Sequence, residues 1–68
     1  MDKHVTMKLL NKEDFDSLMK VINSAGFKVL YADVLTLKIE CHIDDFLLSL
    51  SQLYLDVEIF DHRNRLKN

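Results

Sequence analysis

Hydrophobic and polar positions along the chain follow two different periods, which alternate from segment to segment. Apolar–polar alternation, typical of half-buried strands, predicts strands over residues 4–10, 27–31, 34–41 and 56–61. Apolar residues at helical spacing predict helices over residues 12–25 and 45–53. The predicted order is therefore strand, helix, strand, strand, helix, strand.

This βαββαβ order is that of the ferredoxin-like fold. It predicts an α+β domain in which a four-stranded antiparallel sheet, in the order 4-1-3-2, carries both helices on one face. Residues 1–68 are expected to form this single small domain, as a fragment of a longer chain. The predicted core comprises Val5, Met7, Leu9, Phe15, Leu18, Ile22, Leu37, Ile39, Phe46, Leu50, Val57 and Ile59.

The predicted third strand alternates most clearly, and a short turn around Ala32 and Asp33 should join it to the second strand. Its helix-facing residues would be Leu35, Leu37, Ile39 and Cys41. Its other residues would lie on the open face of the sheet with strand residues of both signs of charge. This open-face set is Thr36, Lys38, Glu40, His42, Thr6, Lys8, Lys28 and Glu58.

Residues that favour helix ends flank both predicted helices. Asn11 and Asp44 can cap the two N-termini, and Gly26 suits a left-handed residue after the first helix. The second helix has an apolar stripe, which we assign to the core, with a groove for a partner helix as the alternative. The stripe consists of Phe46, Leu47, Leu50, Leu53 and Tyr54.

Composition narrows the possible partners of the chain. Of its 68 residues 49% are hydrophobic and none is proline, which is typical of a folded domain. The net charge of −2 argues against binding to nucleic acid or to an anionic membrane. The sequence contains neither an apolar run long enough for direct membrane insertion nor a signal-peptide pattern at the start. The single cysteine favours a reducing compartment, the cytoplasm.

No residue pattern of a known catalytic site is present. Asp44 and Asp45 resemble an acid–base pair, but carboxylates at a helix start are expected for capping alone. Cys41 and His42 are adjacent on a strand, so their side chains should point to opposite faces. We therefore expect no catalytic residue, no cofactor and no enzymatic activity of the domain alone.

Three histidines fall at strand ends that the ferredoxin-like order brings together. His4 starts the first strand, which lies between the strands that end near His42 and His62. With Asp44 and Asp61 nearby, such a cluster could bind a metal ion or sense pH, or consist of ordinary strand-end residues. The spacing is not a known ligand motif, so we expect the three rings to lie together without a tight metal site.

Several local sequences resemble a known family. They are Leu-Met-Lys-Val-Ile at 18–22, Gly-Phe-Lys-Val at 26–29, Thr-Leu-Lys-Ile at 36–39, Ile-Asp-Asp-Phe-Leu-Leu-Ser-Leu at 43–50 and Leu-Asp-Val at 55–57. With the element order, they resemble the C-terminal accessory domain of bacterial ABC transporter ATP-binding subunits. The segment that usually follows the last strand in that family is missing, as are the phosphate loop, the signature motif and the Walker B acidic run.

The resemblance implies a non-catalytic accessory or regulatory domain of an ABC transporter ATP-binding protein. Its partners would be the ATPase core of the same chain and, indirectly, a membrane permease, with a weak homodimer as a further contact. It would be cytoplasmic and membrane-associated through the parent transporter. The alternative is an ACT-like module that senses a small molecule, although the loop at residues 10–12 lacks the glycines of that class.

Overall fold

The computed structural model describes residues 2–62, so residue 1 and residues 63–68 of the predicted domain lie outside the described part. The elements follow the predicted order. They are β1 (Lys3–Leu9), α1 (Lys12–Ala25), β2 (Lys28–Asp33), β3 (Lys38–Ile43), α2 (Asp45–Tyr54) and β4 (Val57–Asp61).

The four strands form one antiparallel sheet in the order β2-β3-β1-β4. β1 is therefore central and pairs with β3 on one side and β4 on the other. The fold is the ferredoxin-like α+β fold that the sequence predicts. A register shift between Val29 and Tyr31 inserts a bulge into the edge strand β2.

The core lies between the helices and one face of the sheet. β1 and β3 each contribute alternate residues to it, because successive side chains of a strand point to opposite faces. α1 contributes residues at helical spacing, and α2 contributes one. The buried set is Val5, Met7, Leu9, Phe15, Leu18, Ile22, Ile39, Cys41, Ile43 and Leu47.

Residues at the helix ends behave as predicted. The side chain of Asn11 accepts a hydrogen bond from the backbone N–H of Asp14, and that of Asp44 accepts one from Leu47, each at 2.8 Å. Gly26 ends α1 in the left-handed conformation, with φ of 79°. There the backbone N–H of Phe27 donates to the carbonyl of Ile22, which satisfies one of the free carbonyls at the helix end.

The start of β3 differs from the prediction. A turn spans residues 34–37 and the strand begins only at Lys38, so Leu35 is 91% exposed instead of facing the helices. Asp33 closes this turn by accepting a hydrogen bond from the backbone N–H of Leu35. Leu37 has a φ of 60°, which reverses the chain, while its side chain still packs against the core.

The predicted apolar stripe of α2 is only partly buried. Leu47 faces the core as expected, whereas Phe46, Leu53 and Tyr54 are 71–74% exposed and Leu50 is half-buried. Ser51 is buried in their place, and its hydroxyl donates a hydrogen bond to the carbonyl of Leu47 inside the helix, so the buried polar group is satisfied. The buried face of α2 is therefore rotated relative to the predicted one.

Candidate functional site

The open face of the sheet, opposite the helices, carries rows of side chains that run across all four strands. The histidine row consists of Lys28, His42, His4 and His62, from β2 to just beyond β4. The second row consists of Tyr31, Glu40, Thr6 and Phe60. The third row consists of Asp33, Lys38, Lys8 and Glu58.

The structure brings the three predicted histidines together in the first of these rows. His4 and His42 are direct cross-strand partners, and the backbone N–H of His62 donates to the carbonyl of His4 at 3.0 Å. The ring of His4 lies between the other two, stacked on His62 at 3.9 Å and on His42 at 5.0 Å between ring centroids. The antiparallel order thus converts three distant positions in the sequence into one continuous stack.

Two of these rings reach into the second row. Nε2 of His4 lies 2.5 Å from a carboxylate oxygen of Glu40, and Nε2 of His62 lies 2.6 Å from the hydroxyl of Thr6. Because an ionised carboxylate only accepts hydrogen bonds, Nε2 of His4 is the donor to Glu40. Phe60 packs its ring edge-to-face with His62 at 5.0 Å, so the outer end of the stack is also fixed.

One group of potential metal ligands results from this arrangement in the described residues. A ring nitrogen of His4, a ring nitrogen of His62 and a carboxylate oxygen of Glu40 all lie within 4.8 Å of one another. All three residues are half-buried. His42 stacks on this group without belonging to it.

Glu40 is the member of the group that sequence analysis placed on the open face but did not propose as a ligand. Asp44 and Asp61 were the expected carboxylates, yet Asp44 caps α2 and Asp61 pairs with Val5 in the register of β1 and β4. The sequence signal that could have identified Glu40 was the alternation along β3, which places Glu40 and His42 on the same face. The register makes a diagonal contact between Glu40 and His4 possible, since Glu40 is paired with Thr6, two positions from His4 on the same face.

The remaining predicted candidates lie apart from this cluster. Cys41 points into the core while its neighbour His42 is on the open face, so the two side chains cannot act as a nucleophile–base pair. Burial raises the pKa of the Cys41 thiol to about 11, to which the nearby charge of Glu40 adds. Asp45 forms an ion pair with Lys3 at 2.8 Å instead of pairing with Asp44.

A second surface lies on the opposite side of the molecule, between the two helices. We call it the helix groove; its volume is about 170 Å³. Its lining consists of Ser17, Leu18, Val21, Leu47, Leu50, Ser51, Tyr54 and Leu55. A neighbouring depression shares Val21, Leu47 and Leu50 with it and extends to Phe46. The groove is therefore bordered by the exposed apolar side chains of α2.

Comparison with known proteins identifies no relative: no family model, no curated protein and no solved structure matches the chain. Neither α1 nor α2, the helices of the described part, has the length and the apolar character needed to cross a membrane.

Proposed function

We propose that this chain is a non-catalytic accessory domain of an ABC transporter ATP-binding protein and that it docks on the ATPase core through the helix groove. The observation that carries docking is the exposed apolar surface of α2, where Phe46, Leu53 and Tyr54 are each more than two-thirds exposed. The identity of the partner depends on the resemblance of the local sequences to that class of domain.

The physical basis of docking is the poor burial of α2. Of its ten residues only Leu47 and Ser51 are buried, although most of the helix is apolar. Val21 of α1 is 47% exposed and extends this surface across the groove. Contiguous exposed apolar residues of this kind mark interaction sites in soluble domains, because covering them removes apolar area from water.

The character of the surface fits a contact between domains. Aromatic residues such as Phe46 and Tyr54 are enriched in the centres of interfaces. The charged residues at its border, such as Lys20 and Asp44, would form the polar rim. Contacts between domains of one chain are moderate in size and partly polar, which suits a surface of this size on a domain of 68 residues.

Affinity measurements test this proposal. Calorimetry with the purified nucleotide-binding core of an ABC ATP-binding subunit from the same genome should give a one-to-one complex. The double variant Val21→Ser, Tyr54→Ser, which changes two exposed residues of the groove lining, should weaken it at least tenfold. Leu35→Ser, a substitution of an exposed leucine in the turn before β3, should leave it unchanged. Equal affinity of all three proteins would refute docking through the helix groove.

The alternatives predict different results in the same series. An ACT-like sensor would bind an amino acid or a nucleotide at micromolar concentration without the ATPase core. A self-associating module would form dimers, and the Val21→Ser, Tyr54→Ser variant would be monomeric. We expect no binding of ATP or amino acids and at most weak self-association in sedimentation experiments.

A further inference from the structure

We propose that His4, Glu40 and His62 form a binding site for Zn²⁺ or a chemically similar divalent transition-metal ion on the open face of the sheet. One nitrogen from each imidazole and one carboxylate oxygen would coordinate the ion, and water would complete the shell. This inference is independent of the helix groove, because the two surfaces lie on opposite sides of the molecule.

The donor set determines which metal is expected. Two imidazoles and one carboxylate form a set that proteins use for zinc, with a fourth position left to water. Mg²⁺ and Ca²⁺ prefer shells made of oxygen atoms, so two nitrogen ligands disfavour both. The site should therefore bind Zn²⁺, and also Co²⁺ and Ni²⁺, in preference to Mg²⁺.

The backbone places the three donors before any ion binds. His4 belongs to the central strand β1, while Glu40 and His62 come from the two sides of it, and the hydrogen bonds of the sheet fix all three backbones. The donor atoms lie within 4.8 Å of one another. Ligands at about 2.0–2.1 Å from a tetrahedral zinc ion are about 3.3 Å apart, so side-chain rotation alone can close the set.

In the contact between His4 and Glu40, a hydrogen occupies the position between the two ligand atoms that a metal ion would take. Their N···O distance is 2.5 Å, and the hydrogen lies between the two ligand atoms. When the ion takes the place of that hydrogen, a neutral His4 carries its ring proton on Nδ1 instead of Nε2, and the two ligand atoms separate to about 3.3 Å. Both side chains are about one-third exposed, so solvent access allows this movement.

Metal binding must also change the stack of rings. A metal ion lies in the plane of each imidazole that binds it, and the rings of His4 and His62 are parallel within 4° at a separation of 3.9 Å. One point cannot lie in both planes. One ring therefore has to turn out of the stack when the ion binds, which gives the site a spectroscopic signature.

Titration of the 68-residue chain with ZnCl₂, followed by calorimetry and by NMR of the histidine rings, tests the proposal. We expect one ion per chain at micromolar affinity and large ring shifts for His4 and His62 as the stack opens. His4→Ala, His62→Ala and Glu40→Gln should each weaken binding at least tenfold. Millimolar Mg²⁺ should not displace the ion.

His42→Ala is the matched control, because His42 belongs to the same row and stacks on His4 without offering a ligand atom to the group. It should change the affinity by less than threefold. Amide NMR spectra establish that each variant keeps the sheet. The proposal would be overturned if His42→Ala lost as much affinity as His4→Ala or if His62→Ala kept the wild-type affinity. Absence of binding at millimolar Zn²⁺ would overturn it as well.

Discussion

His4 and His62 are 58 positions apart in the chain, yet their rings stack at 3.9 Å between centroids and within 4° of parallel. The cause lies in the topology, since β1 and β4 are adjacent and His62 donates its backbone N–H to the carbonyl of His4. A sheet that pairs the first and last strands thus couples both ends of the described chain at one surface.

The rotated face of α2 predicts losses of stability of very different size for substitutions at two adjacent residues. Leu47→Ala removes a side chain that is only 6% exposed, and we expect a loss of about 2–4 kcal/mol in the free energy of unfolding. Phe46→Ala removes a larger side chain that is 71% exposed, and we expect a loss of less than about 1 kcal/mol. Urea unfolding measures both losses. A larger loss for Phe46→Ala than for Leu47→Ala would mean that Phe46 faces the core, as the sequence predicts.

The cysteine in the core should make stability depend on alkaline pH. Burial raises the pKa of Cys41 to about 11, above its ordinary value of 9.0, so the unfolded chain loses this proton first as pH rises. The free energy of unfolding should therefore fall between about pH 9 and 11, by roughly 2–3 kcal/mol from this group. Well below pH 9 the thiol is neutral in both states and contributes no dependence of stability on pH.

Cys41→Ala separates this effect from the ionisation of tyrosines and lysines. The variant should be less stable at pH 8 because it loses a buried side chain, but its alkaline loss should be smaller than that of the wild type. Urea unfolding at pH 8 and pH 10.5 measures both slopes. Equal losses of stability between pH 8 and pH 10.5 in the wild type and the variant would show that burial does not raise the pKa of Cys41.

The left-handed conformation of Gly26 should make this position intolerant of a side chain for backbone reasons alone. A Cβ built at Gly26 meets no atom within 4 Å, so Gly26→Ala causes no clash with the rest of the molecule. At φ of 79° it should nevertheless cost about 1 kcal/mol. Gly26→Asn is the control, because asparagine tolerates this conformation better than alanine, and thermal melting should rank the two accordingly.

The sequence predicted the element order, the sheet order and most of the core correctly, because period-two and helical spacing are strong signals in a chain this regular. The turn before β3 was predicted too early, around Ala32 and Asp33, which belong to β2. Residues 34–37 contain no glycine or proline, and residues 35–37 continue the alternation of β3 by coincidence. Leu37 reverses the chain at a φ of 60°, a conformation that a leucine rarely adopts.

The predicted buried face of α2 was wrong because it left out Ser51. A hydrophobicity pattern treats serine as a polar, exposed residue. Ser51 is nevertheless buried, with its hydroxyl satisfied by the carbonyl of Leu47 in the same helix. The proximity of the three histidines followed from strand order. The contact of His4 with Glu40 did not, since it depends on side-chain rotamers that only the three-dimensional structure provides.

The proposed function depends on the helix groove being a docking surface for an ATPase core. The most direct measurement is an amide NMR titration of the labelled chain with that core. The account predicts shifts confined to the helices around Val21, Leu50 and Tyr54, with the strands unchanged. Shifts centred on the strands instead, or no shift at any concentration of the ATPase core, would contradict it.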